Sequence, residues 1–406
     1  MTAVLAQGFH QRAPNRYAQT ADDNLITALD RRLAAGELEL RAAGRSGRLR
    51  SLLAALDVPA SSQTLVFSKT SLQRHRIGPQ SPRALYFGRD VYVGWVPGAA
   101  VLELAATDAR LGLVFYTLPQ DPAQPPRFRR DDSCLSCHAS ARTEDEPGLL
   151  LRSVFPDELG DPIANAGETA VEVTTPLAER WGGWLVTGQF AGPHRGNGIA
   201  VRDARGLWSV PGKPAADLSA FADQFAVADY PVATSDIGAL LALEQQVTVH
   251  NLLVRASLQM RCLLDGDRAV NELLGETGER AATARIADQL AKAIVQALRL
   301  DDEPSLADRV AAPAAGFAAD FAALWPKDPA GVGLGRLDLR ERVFELPLSP
   351  MVHSTAFAAL PEPLRARVLG RLRSIYERAR RTGGMAVSKA QAALLDAHLR
   401  ALVAGY

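Results

Sequence analysis

Between residues 64 and 119 the apolar positions come in short blocks with polar breaks: "TLVFS", "RALYFGRDVYVGWV", "AVLELAA" and "LGLVFYTL". The blocks are short, β-branched and aromatic, and separated by Gly, Pro and Asp, so the pattern predicts a run of antiparallel strands. Upstream the period is different. In "ADDNLITALDRRLAAGELEL" (21–40) Leu25, Ile26, Leu29 and Leu33 recur at helical spacing behind an Asp-rich start, which suits a helix N-terminus. Downstream of the strands, "PQDPAQPPRFRRDD" (119–132) reads as a Pro-rich loop, and "LLLRSVFPD", "AVEVTTPL" and "WGGWLVTGQF" read as further strand-like pieces, with "AGPHRGNG" as a loop.

From residue 237 the texture is helical to the end. "IGALLALEQQVTVHNLLVRASLQMRCLLD" is long and amphipathic, and three more helical stretches follow it (271–300, 360–381 and 388–405). The expectation is an α+β protein in three parts: a helical segment over 1–60, a β-rich part over 61–235 and a helical part over 236–406. No repeat at a solenoid period is present.

Composition narrows the partners. Forty-five Lys and Arg balance forty-five Asp and Glu. With no basic run or acidic tail, neither nucleic acid nor an anionic membrane surface is expected. No apolar stretch of about eighteen residues is present, so no transmembrane segment is expected. "AVLA" followed by Gln7 resembles the small-residue end of a cleaved secretory signal, which points to an exported, periplasmic protein.

Two of the three cysteines fall in "RFRRDDSCLSCHASARTEDE" (127–146), where Cys134, Leu135, Ser136, Cys137 and His138 form C-x-x-C-H. A thioredoxin-like pair sits at a βα junction and needs no histidine. A structural zinc site needs four ligands, and the remaining Cys262 lies in a helical run without a C-x-x-C partner. Covalent haem attachment uses every residue: two thiols add to the two vinyl groups of one porphyrin, and the adjacent imidazole becomes the proximal iron ligand. Asp131, Asp132 and Ser133 suit the start of a short helix that presents all three groups together.

Through "CLSCH" the chain resembles the c-type cytochromes. The resemblance implies Cys134 and Cys137 as thioether sites, His138 as axial ligand, one haem c, and haem loading outside the cytoplasm. It covers only the motif: the small all-α cytochromes carry the motif on an N-terminal helix, whereas here it follows strands, and the next methionine is Met260. Through "RALYFGRDVYVGW", "DDSCLSCHAS" and "ERWGGWLVTG" the rest of the chain resembles an uncharacterised group of large single-haem cytochrome-domain proteins.

The identity of a sixth iron ligand separates electron transfer from chemistry at an open iron face. Four methionines and six other histidines are available. His250, in the polar stretch "EQQVTVHNLL" of the long helical run, is the first candidate; an ordinary buried histidine hydrogen-bonded to its neighbours is the alternative. Met351 and His353 in "LPLSPMVHSTAF" come second, with plain packing as their alternative, and His194 in "GPHRGNG" third, as a distal acid on a loop. His75 reads as a surface or propionate-contacting residue and His398 as a surface one. Met1, His10 and Met385 read as disordered or loop residues.

Arg129 and Arg130, with Arg127, Arg74 and Arg76 behind them, are the candidate partners of the haem propionates; a solvated basic turn is the alternative. Trp181 and Trp184 bracket two glycines that permit close approach of backbone or ring, and either wall the haem or pack the core. "GVGLG" (331–335) lacks the spacing of a dinucleotide fingerprint. The leading expectation is a periplasmic c-type haem protein in electron transfer with a redox partner protein or small-molecule donor. The alternatives are a haem oxidoreductase of peroxidase type with an open distal face, and a haem sensor.

Overall fold

The computed structural model describes residues 8–307, 309–310, 316–384 and 386–406. The signal-like stretch up to Gln7, with Met1, and also Met385 lie outside the described residues. The fold is α+β, with the sheet in the N-terminal and middle parts and the helices concentrated after residue 236.

The first elements are α1 (Leu25–Ala34) and α2 (Leu49–Ala55). Asn24 caps α1, its side chain accepting from Ile26 N at 2.9 Å while Thr27 Oγ1 accepts from Asn24 N, and the helix buries Ile26 and Leu29. The strands follow as the apolar blocks predict: β1 (Thr64–Val66), β2 (Arg83–Phe87), β3 (Val91–Trp95), β4 (Val101–Asp108) and β5 (Gly112–Pro119). Two short strands, β6 (Arg129–Arg130) beside β5 and β9 (Trp184–Leu185) beside β1, complete a seven-stranded antiparallel sheet of order β6-β5-β4-β3-β2-β1-β9. Between them lie α3 (Leu135–His138) and a separate two-stranded ribbon, β7 (Arg152–Val154) with β8 (Glu168–Ala170).

Alternation along the strands gives the sheet two buried faces. Tyr86, Val91, Val93, Leu104, Ala106, Val114 and Tyr116 pack against α1 and α2, while Phe87, Tyr92, Ala105 and Phe115 face the helical half. That half is α4 (Ile237–Leu274), α5 (Ala281–Leu298), α6 (Phe317–Ala323), α7 (Thr355–Ala358), α8 (Glu362–Thr382) and α9 (Lys389–Leu402). Asp236 caps α4, accepting from Gly238 N at 2.8 Å, and Gly275 ends it at φ +66°. Over Ile237–Val247 this helix is buried on every side, so its first three turns are core rather than an amphipathic face.

Two strand expectations fail locally. Most of "AVEVTTPL" is irregular, because Val173 N–H donates to Thr248 Oγ1 on α4 and Glu172 N–H to Thr175 Oγ1, leaving no strand partner. In "WGGWLVTGQF" only Trp184 and Leu185 pair as a strand, since Trp181 and Gly183 hold positive φ values of +67° and +86°.

Candidate functional site

The motif forms at the end of the Pro-rich loop. Asp131 accepts from Ser133 N at 3.1 Å and starts a 3-10 turn over Asp132–Cys134 that runs into α3. This places Cys134, Cys137 and His138 on the wall of one cavity of about 180 Å³ between the sheet and α4. Its other walls are largely apolar: Val66, Leu85, Tyr92, Ala105 and Phe115 from the sheet, Leu149 to Leu151 from the loop before β7, Trp184, and Leu243 and Val247 from α4. Trp184 thus walls the cavity, whereas Trp181 stands behind it, donating from Nε1 to Glu244 at 2.7 Å.

His138 is held in one tautomer. Its Nδ1 lies 2.7 Å from the carbonyl oxygen of Gly148, which can only accept, so the proton sits on Nδ1 and the Nε2 lone pair is free. Its ring also lies against Phe115, with centroids 4.7 Å apart. Burial lowers the His138 pKa, opposed by the Gly148 bond, so the ring is neutral at neutral pH. Burial, reinforced by Asp131, pushes the Cys134 thiol up to about 12. All three cysteines are free thiols, and Cys137 is exposed at the mouth.

Three arginines line this cavity: Arg83, Arg142 and Arg152. Arg83 pairs with Glu103 at 2.5 Å, and Arg142 and Arg152 share Glu168. Arg83 and Arg152 each keep a buried Nε donor without a partner among the described residues. Sequence reasoning overlooked them; the available signal was Arg83 opening a strand on the same alternation as Leu85 and Phe87, a cation at the start of an apolar face.

The arginines expected beside a cofactor are elsewhere. Arg130 donates to the carbonyls of Tyr17 at 2.8 Å and Thr20 at 2.9 Å, and pairs with Asp132, so its guanidinium tethers the N-terminal segment. Arg129 is exposed on the edge strand, Arg127 faces Asp30 at 3.6 Å, and neither lines the cavity.

Among the described residues none of the sixth-ligand candidates reaches the cavity wall. His250 is fully buried behind Tyr92, with Nδ1 2.9 Å from the Tyr92 hydroxyl and Nε2 3.1 Å from Thr107 Oγ1. Both nitrogens are therefore engaged in the polar layer between α4 and the sheet. Met351 is core. His353 Nε2 lies 2.8 Å from His398 Nε2, and His398, expected at the surface, is fully buried because α9 packs it against that partner and Asp328. His194 sits edge-on to Trp181 and Phe190 and accepts from Gly196 N. His75 is exposed. His10, expected in a disordered or loop segment, is buried, with its ring and amide on the carboxylate of Glu146.

Among the described residues no group of three or more His, Cys, Asp or Glu side chains is arranged to hold a bare metal ion, and no helix is long and apolar enough to cross a membrane. Comparison with known protein families, with curated proteins and with solved structures finds no match.

Proposed function

We propose that this chain is an exported c-type haem protein that takes part in electron transfer, with one haem held covalently by Cys134 and Cys137 and His138 as its proximal ligand. The observation that carries the reading is the Nδ1 contact of His138 with Gly148, which leaves Nε2 free beside two reduced thiols on an apolar wall. The residues present fit the group in three respects. The donor set has the attachment spacing, the walls are largely apolar, and Arg83 and Arg152, although paired with Glu103 and Glu168, each keep an Nε–H donor that could meet a carboxylate.

Bound haem supplies a one-electron couple at its iron. The chain supplies the rest. Burial keeps His138 neutral against the opposing effect of the Gly148 bond, and the Gly148 carbonyl fixes its tautomer. Leu149 to Leu151, Phe115 and Val247 exclude water from the cleft. Cys137 at the surface brings the attachment edge within reach of a partner. Export accords with this chemistry, because haem is joined to C-x-x-C-H motifs outside the cytoplasm in the c-type cytochromes the chain resembles.

One observation favours a second reading. Among the described residues the cavity is lined by no methionine and by no histidine except His138. An open sixth position would suit an oxidoreductase or a sensor of small ligands, with the Arg83–Glu103 pair as its charged residues.

Export of the chain in a host equipped for haem attachment, followed by denaturing electrophoresis with haem-dependent peroxidase staining, tests the proposal. Covalent haem in the wild type and none in the Cys134→Ser/Cys137→Ser double variant is the expected result. A colourless wild type under those conditions overturns it. Carbon monoxide added to the reduced protein separates the two readings: an altered Soret band selects the open-face reading, an unaltered one the electron carrier.

A further inference from the structure

The loop that carries Gly148 is held by its own backbone bonds, such as Glu146 N–H to the Thr143 carbonyl at 3.1 Å, and is also clamped from α4. Leu149 N–H donates to Asn251 Oδ1 at 2.8 Å, and Asn251 Nδ2 donates back to the Leu149 carbonyl at 2.9 Å, so one side chain of α4 closes on both backbone groups as a strand would. One residue earlier, Gly148 N–H donates to the His138 carbonyl at 2.8 Å and the Gly148 carbonyl receives His138 Nδ1. The approach is tight: a Cβ at Gly148 would stand 3.0 Å from Asn251 Oδ1 and 3.1 Å from the Thr143 side chain. One helical turn further along α4, Arg255 pairs with Glu144 of the same loop. Asn15, on the N-terminal segment, donates to the Leu258 carbonyl of α4, and Glu146 of the loop accepts from the Phe9 and His10 amides.

We infer that Asn251 is the positioning residue of the proximal ligand: by fixing Leu149 it aims the Gly148 carbonyl at Nδ1 of His138, and so sets the tautomer of that imidazole from the helical half of the molecule. The Nδ1 contact is the only polar bond the ring makes among the described residues. A carbonyl displaced by even a fraction of an ångström weakens it, since hydrogen bonds fall off steeply with distance and angle. Weakening that bond makes the Nε2 atom a poorer donor to a metal. Asn251 touches neither the cavity nor His138, and acts only through the Leu149–Gly148 peptide.

The purpose of this device rests on the haem reading, but its test does not. The full chain, made with ¹⁵N-histidine in a cytoplasm without haem attachment, is examined by long-range ¹H–¹⁵N correlation at pH 7.5, with His138→Gln assigning the His138 signals. The wild type should show a pure Nδ1–H tautomer. Asn251→Ala should convert it to a mixture of Nδ1–H and Nε2–H forms. Asn251→Asp, which keeps the size of the side chain and the acceptor for Leu149 N–H but loses the donor, should give a smaller shift in the same direction and decides the matter if the alanine variant does not fold. An Nε2–H tautomer in the wild type, or the wild-type pattern retained in either variant, overturns the inference. In haem-loaded protein the same variants should raise the midpoint potential, a weaker Nδ1 bond favouring the reduced iron; an unchanged potential in folded, loaded Asn251→Ala also overturns it. A chain that takes up no haem removes the proposed function, while the tautomer measurement still decides the role of Asn251.

Discussion

Arg83 Nη2 lies 2.5 Å from Glu103 Oε2, and the pair joins β2 to β4 across Gly94 of the strand between them. A Cβ at Gly94 would run into the Arg83 guanidinium, so the missing side chain is what lets this ion pair lie flat on the sheet at the cavity wall. Alanine in a strand interior is favoured over glycine by roughly 0.5–1 kcal/mol on backbone entropy alone. Gly94→Ala should therefore leave resistance to urea equal or higher, while, on the proposed haem reading, the displaced guanidinium should lower the fraction of chain carrying covalent haem several-fold. The ratio of haem to protein absorbance checks this, and full loading of the variant would show that Arg83 has room to retreat.

A second ion pair is wholly internal. Arg180 Nη1 lies 2.7 Å from Glu244 Oε2, and the other carboxylate oxygen accepts from Trp181 Nε1, with both charged side chains almost fully buried. It ties the irregular 171–180 segment to α4. Removing one partner of a buried pair strands the other charge, at a cost of about 3–5 kcal/mol. Glu244→Ala should lower the unfolding free energy measured in urea by that amount, and Glu244→Gln, which still accepts from Trp181, by less. A loss below about 1 kcal/mol for the alanine variant would mean that water reaches Arg180.

Short apolar blocks rich in β-branched and aromatic residues made β1 to β5 legible in the sequence, because strands buried on both faces read as near-continuous apolar runs and these are separated by Gly, Pro and Asp. The motif was legible for a different reason: C-x-x-C-H carries its geometry in its spacing. What the sequence concealed is long-range polar pairing. His250 and Asn251 are neighbours in "EQQVTVHNLL", yet one fills a polar layer behind Tyr92 and the other clamps a loop 102 residues away in the chain. Arg83 and Arg152 went unnoticed because proximity along the chain favoured Arg129 and Arg130, whereas β6 turns those two toward the edge and the N-terminal segment.

The two glycines of "RWGGW" were read as permitting close approach, and the structure names the groups that approach. Val154 N–H donates to the Gly182 carbonyl at 3.0 Å, Gly182 N–H donates to Ser153 Oγ at 2.9 Å, and a Cβ at Gly182 would meet the Val154 carbonyl oxygen. Backbone cannot retreat as a flexible side chain can, so Gly182→Ala should cost about 1–3 kcal/mol as an overpacked core position. Thermal unfolding of the unloaded chain measures it. An unchanged midpoint would show that β7 shifts freely against Trp184.

His250 supplies a test that separates burial from ligation. Burial lowers its pKa from 6.5 to about 4, with Asp90 opposing, so the folded state refuses a proton that the unfolded chain accepts. Between pH 6.5 and 4 the unfolded state therefore binds more protons, and stability falls as the pH falls through that window, by about 3 kcal/mol once it is crossed. His250→Gln, which carries no titrating group, should lose this part of the acid sensitivity, seen as a smaller difference in urea midpoint between pH 7 and pH 4.5 than in the wild type. The same variant should leave the absorption spectrum of haem-loaded protein unaltered, because both ring nitrogens already face Tyr92 and Thr107 and neither faces the cavity. A change of spin state in His250→Gln would instead mean that the polar layer opens on loading and delivers the imidazole to the iron.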